Sequence, residues 1–130
     1  MFGLGDILGL KTISDKYELN DGEAPNNSLF FIGGTFMAGQ YMIKFKDKDK
    51  FIANLQQLIN YDLNLVDGYR QLLANDNVTP KNIEKMFLKL INEADVGLGL
   101  FKASTTLSNW NEVVLNSSEP DSEPIEIPCN

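Results

Sequence analysis

The sequence predicts an α+β fold. An antiparallel helix pair at about residues 50–74 and 80–95 is expected to pack with a small antiparallel β-hairpin or meander at about 29–45. A short C-terminal helix and an extended acidic tail complete the expected architecture. Three observations carry this. Between Phe51 and Ala94, apolar residues recur at helical spacing in two blocks. Between Ser28 and Phe45, strand-like runs are punctuated by glycines. After Asn116 the chain turns acidic and proline-containing.

In the first helix, Ile52, Leu55, Ile59, Leu63, Val66 and Leu73 form one apolar face. Phe51, Leu58, Leu65 and Leu72 form a second stripe beside it, so contact from two sides is expected. Asp47 or Asp49 is placed to cap its start, where an anion is favoured. The second helix has a strong start signal. Thr79 fits the N-cap, Pro80 the first helical position, and Val78 with Ile83 the hydrophobic staple. Ile83, Met86, Phe87, Leu90, Ile91 and Ala94 make its apolar face, with Lys81, Glu84, Lys85, Lys89 and Asn92 mostly opposite. The polar connection Asn75–Val78 is short, which favours antiparallel neighbours.

Residues 1–10 carry Phe2, Leu4, Ile7, Leu8 and Leu10 among Gly3, Gly5 and Gly9. Three glycines make a poor isolated helix. Two placements are open: an arm onto a neighbouring subunit, or a segment docked on its own core. Asp6 and the lack of Lys or Arg disfavour a membrane surface. Residues 11–27 read as an irregular connection with room for a helical turn around Ser14 to Leu19, and with Ile13, Tyr17 and Leu19 as anchors. Between residues 28 and 45, Gly33-Gly34 and Gly39-Gln40 both suit turns. A three-stranded meander fits, and so does one longer hairpin.

Lys44, Lys46, Lys48 and Lys50 share one side of the KDKDK segment if it is extended. Gly97 is expected to end the second helix. Residues 98–101 fit a strand or a bent helical continuation. Asn109–Glu112 has capping-box spacing and opens the short helix to about Leu115.

The organisation expected is one globular domain over 1–116, bearing the apolar arm 1–10, and a tail over 117–130. The net charge is −7, of which Glu119, Asp121, Glu123 and Glu126 in the tail contribute four. That balance speaks against nucleic-acid binding, which depends on neutralising phosphates. In the tail, Ile125 and Ile127 point the same way when extended and resemble anchors for a groove or sheet edge. The uncharged run Ala24–Ile43 contains turn residues and is too short to span a membrane once they are set aside. Residues 1–10 have no basic start, so no signal peptide is expected. The expected location is the cytoplasm or a particle assembled there.

The chain has no histidine and a single cysteine, Cys129. That inventory removes the usual general base, the commonest metal ligand and any intrachain disulfide. No enzyme, metal or cofactor is expected. The expectation is a structural subunit touching further copies or other subunits through Phe2, Leu4, Ile7, Leu8, the lysine row, Glu119, Asp121, Glu123, Ile125 and Ile127. A small acidic chain with arms at both ends suits a bacteriophage particle component. The alternative is a small inhibitor- or immunity-type protein that sequesters a partner or ligand in a pocket near Phe30, Phe36, Tyr41 and Tyr69.

Overall fold

The computed structural model describes residues 2, 4–21, 31–36, 39–75, 79–103, 109–119 and 122–129. Among these the fold is α+β, with helices and a five-stranded antiparallel sheet. The elements are α1 (Leu4–Asp21), β1 (Phe31–Phe36), β2 (Gly39–Phe45), α2 (Lys48–Ala74), α3 (Pro80–Ala94), β3 (Leu98–Ala103), β4 (Trp110–Val114) and β5 (Ile125–Pro128). Strand order in the sheet follows chain order. No described helix is long and apolar enough to cross a membrane.

β2 and β3 are neighbours in the sheet, although α2 and α3 lie between them in the chain. The excursion closes at its base. Lys46 and Asp47, leaving β2, both donate their N–H groups to the Gly97 carbonyl, at 2.7 and 3.0 Å. Asp47 also caps α2, its carboxylate accepting the Lys50 N–H at 3.1 Å. Thr79 caps α3 by accepting the Asn82 N–H, and Pro80 follows it. α3 ends at Asp95 rather than at Gly97. Asp95 takes the left-handed φ of 51°, and the Asp95 and Val96 N–H groups return to the carbonyls of Asn92 and Ile91. Asn54 donates to the Asp95 carbonyl and Lys50 pairs with its carboxylate. The start of α2 therefore lies beside the end of α3.

Alternation along β2 turns Tyr41, Ile43 and Phe45 to one face of the sheet. The register sets Lys102, Leu100 and Leu98 of β3 beside them, and Val113 of β4 beyond Leu100. The helices cover this inner face. Phe2, Ile7 and Leu10 join Phe51, Leu55 and Leu58 of α2 and Phe87, Leu88, Leu90, Ile91 and Ala94 of α3 in one buried cluster with the strand residues. Each large apolar side chain fully buried there is worth about 1.5–3 kcal/mol.

The structure corrects several expectations. The glycine-interrupted N-terminus is helical from Leu4 through Asp21, where an irregular segment was expected after residue 10. Burial of Phe2, Ile7 and Leu10 outweighs the poor glycine propensity. Gly33-Gly34 is no turn. Both residues lie inside β1, paired with Met42 and Tyr41. Phe36 faces Gly39 in the register, and residues 28–30, 37 and 38 lie outside the described residues.

The short helix expected at 109–115 is strand β4. Trp110, Asn111, Glu112 and Val113 pair with β3, because the sequence NWNEVV also alternates and β3 offers it an open edge. The two-stripe reading of α2 is divided. Phe51, Leu55 and Leu58 are buried, but Ile52 and Ile59 stand 62% and 38% exposed. The side chains of Leu63, Leu65, Val66, Leu72 and Leu73 lie outside the described residues.

Candidate partner-binding surface

The tail returns to its own sheet. β5 lies antiparallel along β4 with Ile125 opposite Val114 and Ile127 opposite Glu112. The Cys129 N–H donates to the Trp110 carbonyl at 3.1 Å, extending the ladder past Pro128. Backbone direction alternates along a strand, so Ile125, Ile127 and Cys129 turn their backbone groups to β4. Pro124, Glu126 and Pro128 turn theirs to the free edge. Two of those three carry no N–H, a guard typical of edge strands.

Side chains alternate as well. Glu126 and Pro128 share the inner parity of Val113 and Asn111, whereas Ile125 and Ile127 share the outer parity of Val114 and Glu112. Ile125 and Ile127 are 45% and 48% exposed, side by side on the outer face. Two apolar side chains held rigid and half in water form a natural anchor for another surface.

On the inner side, an ion network ties β5 to the body. Glu84 of α3 is fully buried beneath the sheet. The Tyr41 hydroxyl donates to its Oε2 at 2.6 Å, and Lys102 Nζ donates to the same oxygen at 3.2 Å. Lys81 Nζ lies 3.4 Å from Glu84 Oε1, close enough to offset its charge although not aligned for a hydrogen bond. Lys81 also donates to Glu126 Oε2 at 3.1 Å, and Asn111 donates to Glu126 Oε1 at 3.3 Å. One lysine thus bridges the buried carboxylate and the tail strand.

The titrations follow from these contacts. Burial, the hydrogen bond to Glu84, and the charges of Glu84 and Glu126 push the Tyr41 hydroxyl well above its ordinary 10.0. Partial burial pulls Lys81 down, but its contacts with Glu126 and Glu84 outweigh that and raise it above 10.5. Partial burial pulls Glu126 up, but the hydrogen bonds from Lys81 and Asn111 and the charges of Lys81 and Lys102 hold it below 4.5.

Stability should therefore fall on both sides of neutrality. The Glu126 contribution is complete above pH 4.5 and lost as pH falls through its lowered folded-state value. The Tyr41 contribution is complete below pH 10.0 and lost as pH rises toward its raised value, and that of Lys81 is lost likewise above 10.5. Urea titrations at a series of pH values will show this. Tyr41→Phe should blunt the alkaline loss; an unchanged alkaline limb would rule out Tyr41 as its source.

The predicted contact residues meet different fates. Phe2 and Ile7 are buried in the core. Leu8 on α1 is exposed, and the side chain of Leu4 lies outside the described residues. The lysine row does not exist, because β2 ends at Phe45 and α2 starts at Lys48. Lys44 instead lies over the Phe101 ring, 4.6 Å from its centroid. Lys46 runs across Gly99 to Glu112 of β4 at 2.6 Å. Both lysine stems shelter the outer face while their charges stay in reach of water. Lys48 is buried, and Lys50 pairs with Asp95.

In the acidic row, the Glu119 N–H returns to the Asn116 carbonyl, and Ser122 returns to that of Glu119. Asp121 lies outside the described residues, and Glu123 is exposed. Glu84 escaped the sequence reading, which put it on the polar side of α3. Its signal was present across the sheet: Lys102 shares inner parity with Leu98 and Leu100 and needs an anion there.

A cleft of about 790 Å³ opens beside Met42, Lys44, Phe101, Lys102, Trp110 and Glu126. Of the residues named for the alternative pocket, Tyr41 faces Glu84 instead. Phe30 and the side chains of Phe36 and Tyr69 lie outside the described residues. Among the described residues, no group of three or more His, Cys, Asp or Glu could hold a metal ion. No protein-family model, curated protein or solved structure matches this chain.

Proposed function

We propose that this chain is a non-enzymatic structural subunit of a larger assembly, such as a phage particle, which contacts neighbouring copies or partner subunits through its terminal segments. In this reading the α2–α3 pair and the sheet are the body, and the 117–130 segment is the contact element. The observation that supports it is the Ile125 and Ile127 pair. A tail that only closed its own sheet would be served by polar strand formers on its outer face, yet it carries isoleucines 45% and 48% exposed there. Glu126 between them, tied to Lys81 and Asn111, holds both on the outer side. Leu8 adds an exposed apolar contact on α1.

The test is the double substitution Ile125→Asp with Ile127→Asp, read as mass by light scattering. Central apolar anchors are worth roughly 2 kcal/mol or more each, so self-association should weaken by about a thousandfold. The far-UV circular dichroism should not change. An unchanged mass would count against the reading. Truncation is a poorer test, because removing β5 also opens the β4 edge and strips Lys81 of Glu126. The cleft at Trp110 favours a second reading, a protein that sequesters a partner or ligand. That reading requires a monomer whose tryptophan fluorescence responds to the bound molecule.

A further inference from the structure

The two edges of the sheet are built differently. The β5 edge offers one N–H, that of Glu126, between two prolines. The β1 edge, FIGGTF, has no proline and no charge. Whichever parity of β1 faces outward, three of its six residues present both N–H and C=O on the side away from β2. Gly33, Gly34 and Thr35 are exposed. A neutral, proline-free strand edge of this kind is a template for another strand.

We propose that β1 is a self-pairing edge, through which two copies of this chain join antiparallel across a two-fold axis at Gly33 or Gly34. This goes beyond the tail surface described above and uses the opposite edge of the sheet.

Three observations name a second copy as the occupant. The first is self-complementarity at the axis. Residues directly opposite each other in a ladder share a face. A two-fold perpendicular to the sheet keeps both helix layers on one side, so it pairs residues of like parity and sets one residue against its own copy. Opposed Cα atoms there stand about 4.5–5.5 Å apart. Glycine brings no side chain to that meeting, and glycine within a strand often marks close approach by another backbone.

The second observation is charge. The protein carries −7, which opposes self-association, yet no charged residue occurs from Ala24 through Ile43. The seam is therefore the part of the chain where a copy meets least repulsion. The third is support from within the protomer. The Phe2 ring lies against Gly34 on the inner face, and Gly9 of α1 lies against Ile32. The buried N-terminal segment braces the strand in the extended form a partner strand requires. The same helix carries Leu8 and Ile13 with 37% and 52% of their surface in water.

Gly33→Lys tests the proposal. A β-carbon at Gly33 would lie 3.7 Å from the Tyr41 carbonyl oxygen, an ordinary contact, so the protomer accepts a side chain there. Two lysines at or beside the axis would repel. By sedimentation equilibrium up to sub-millimolar concentration, the chain carrying Ile125→Asp and Ile127→Asp, which lacks the tail anchors, should still approach twice the 14.5 kDa protomer mass. Gly33→Lys added to that chain should hold it at the single-chain mass, with its circular dichroism unchanged. Thr35→Lys, at an exposed position on the same strand, should do the same. A doubly substituted chain that stays monomeric throughout overturns the proposal, and so does a dimer that persists in both folded lysine variants. An oligomer dissolved by the Ile125 and Ile127 substitutions but not by these would sink the β1 seam and leave the tail surface standing.

Discussion

Gly97→Ala should lower stability by roughly 2–5 kcal/mol. Two causes act together. Gly97 has a φ of +63°, where a β-carbon costs about 1–2 kcal/mol. That carbon would also stand 2.1 Å from the Asp47 carbonyl oxygen. The obstacle is backbone, so it cannot rotate aside, and overpacking of this kind costs about 1–3 kcal/mol. The position matters because the Gly97 carbonyl receives both Lys46 and Asp47, closing the base of the α2–α3 excursion. Moving Asp47 would also disturb its cap on Lys50. The melting temperature should fall by about 10–20 °C for a domain of this size. Gly5→Ala is the control, since nothing lies within 4 Å of a β-carbon there and α1 should gain up to about 1 kcal/mol. If thermal melts place the two variants within a few degrees of each other, the close approach at Gly97 is not what holds the excursion shut.

The contrast between those two glycines also shows where the sequence is informative. α3 declares its start because Thr79 and Pro80 act locally, and the structure has the cap in place. β2 declares itself because Tyr41, Ile43 and Phe45 alternate and need only one covered face. α1 is hidden, because Gly5 and Gly9 depress local propensity while Phe2, Ile7 and Leu10 find their compensation in distant parts of the chain. Residues 109–115 satisfy both a capping box and a period of two, and only the presence of β3 beside them decides for a strand. The lysine row fails for a similar reason. An extended segment was needed to align Lys44 with Lys50, but Asp47 starts a helix in its middle. In the candidate surface, the shared direction of Ile125 and Ile127 is legible from spacing alone. Which strand receives them is not, because edge pairing is non-local.

Glu84→Ala should cost about 3 kcal/mol, toward the low end for removing one member of a buried ion pair. The low end applies because Lys81 and Lys102 keep 29% and 23% of their side-chain surface in water and can recover some solvation. The Tyr41 hydroxyl cannot do so as readily, since Tyr41 is buried. The stronger evidence lies in the coupling. Tyr41→Phe alone removes a hydrogen bond to a charged acceptor and should cost about 1.5–3 kcal/mol. In the Glu84→Ala background the same change should cost almost nothing, because the hydroxyl then has no anion to lose. A double-mutant cycle from urea unfolding, followed by Trp110 fluorescence, should therefore return a coupling of roughly 1.5–3 kcal/mol. Trp110 suits the measurement because its carbonyl holds the Cys129 N–H. Additive costs would mean that the carboxylate and the phenol stabilise the fold separately.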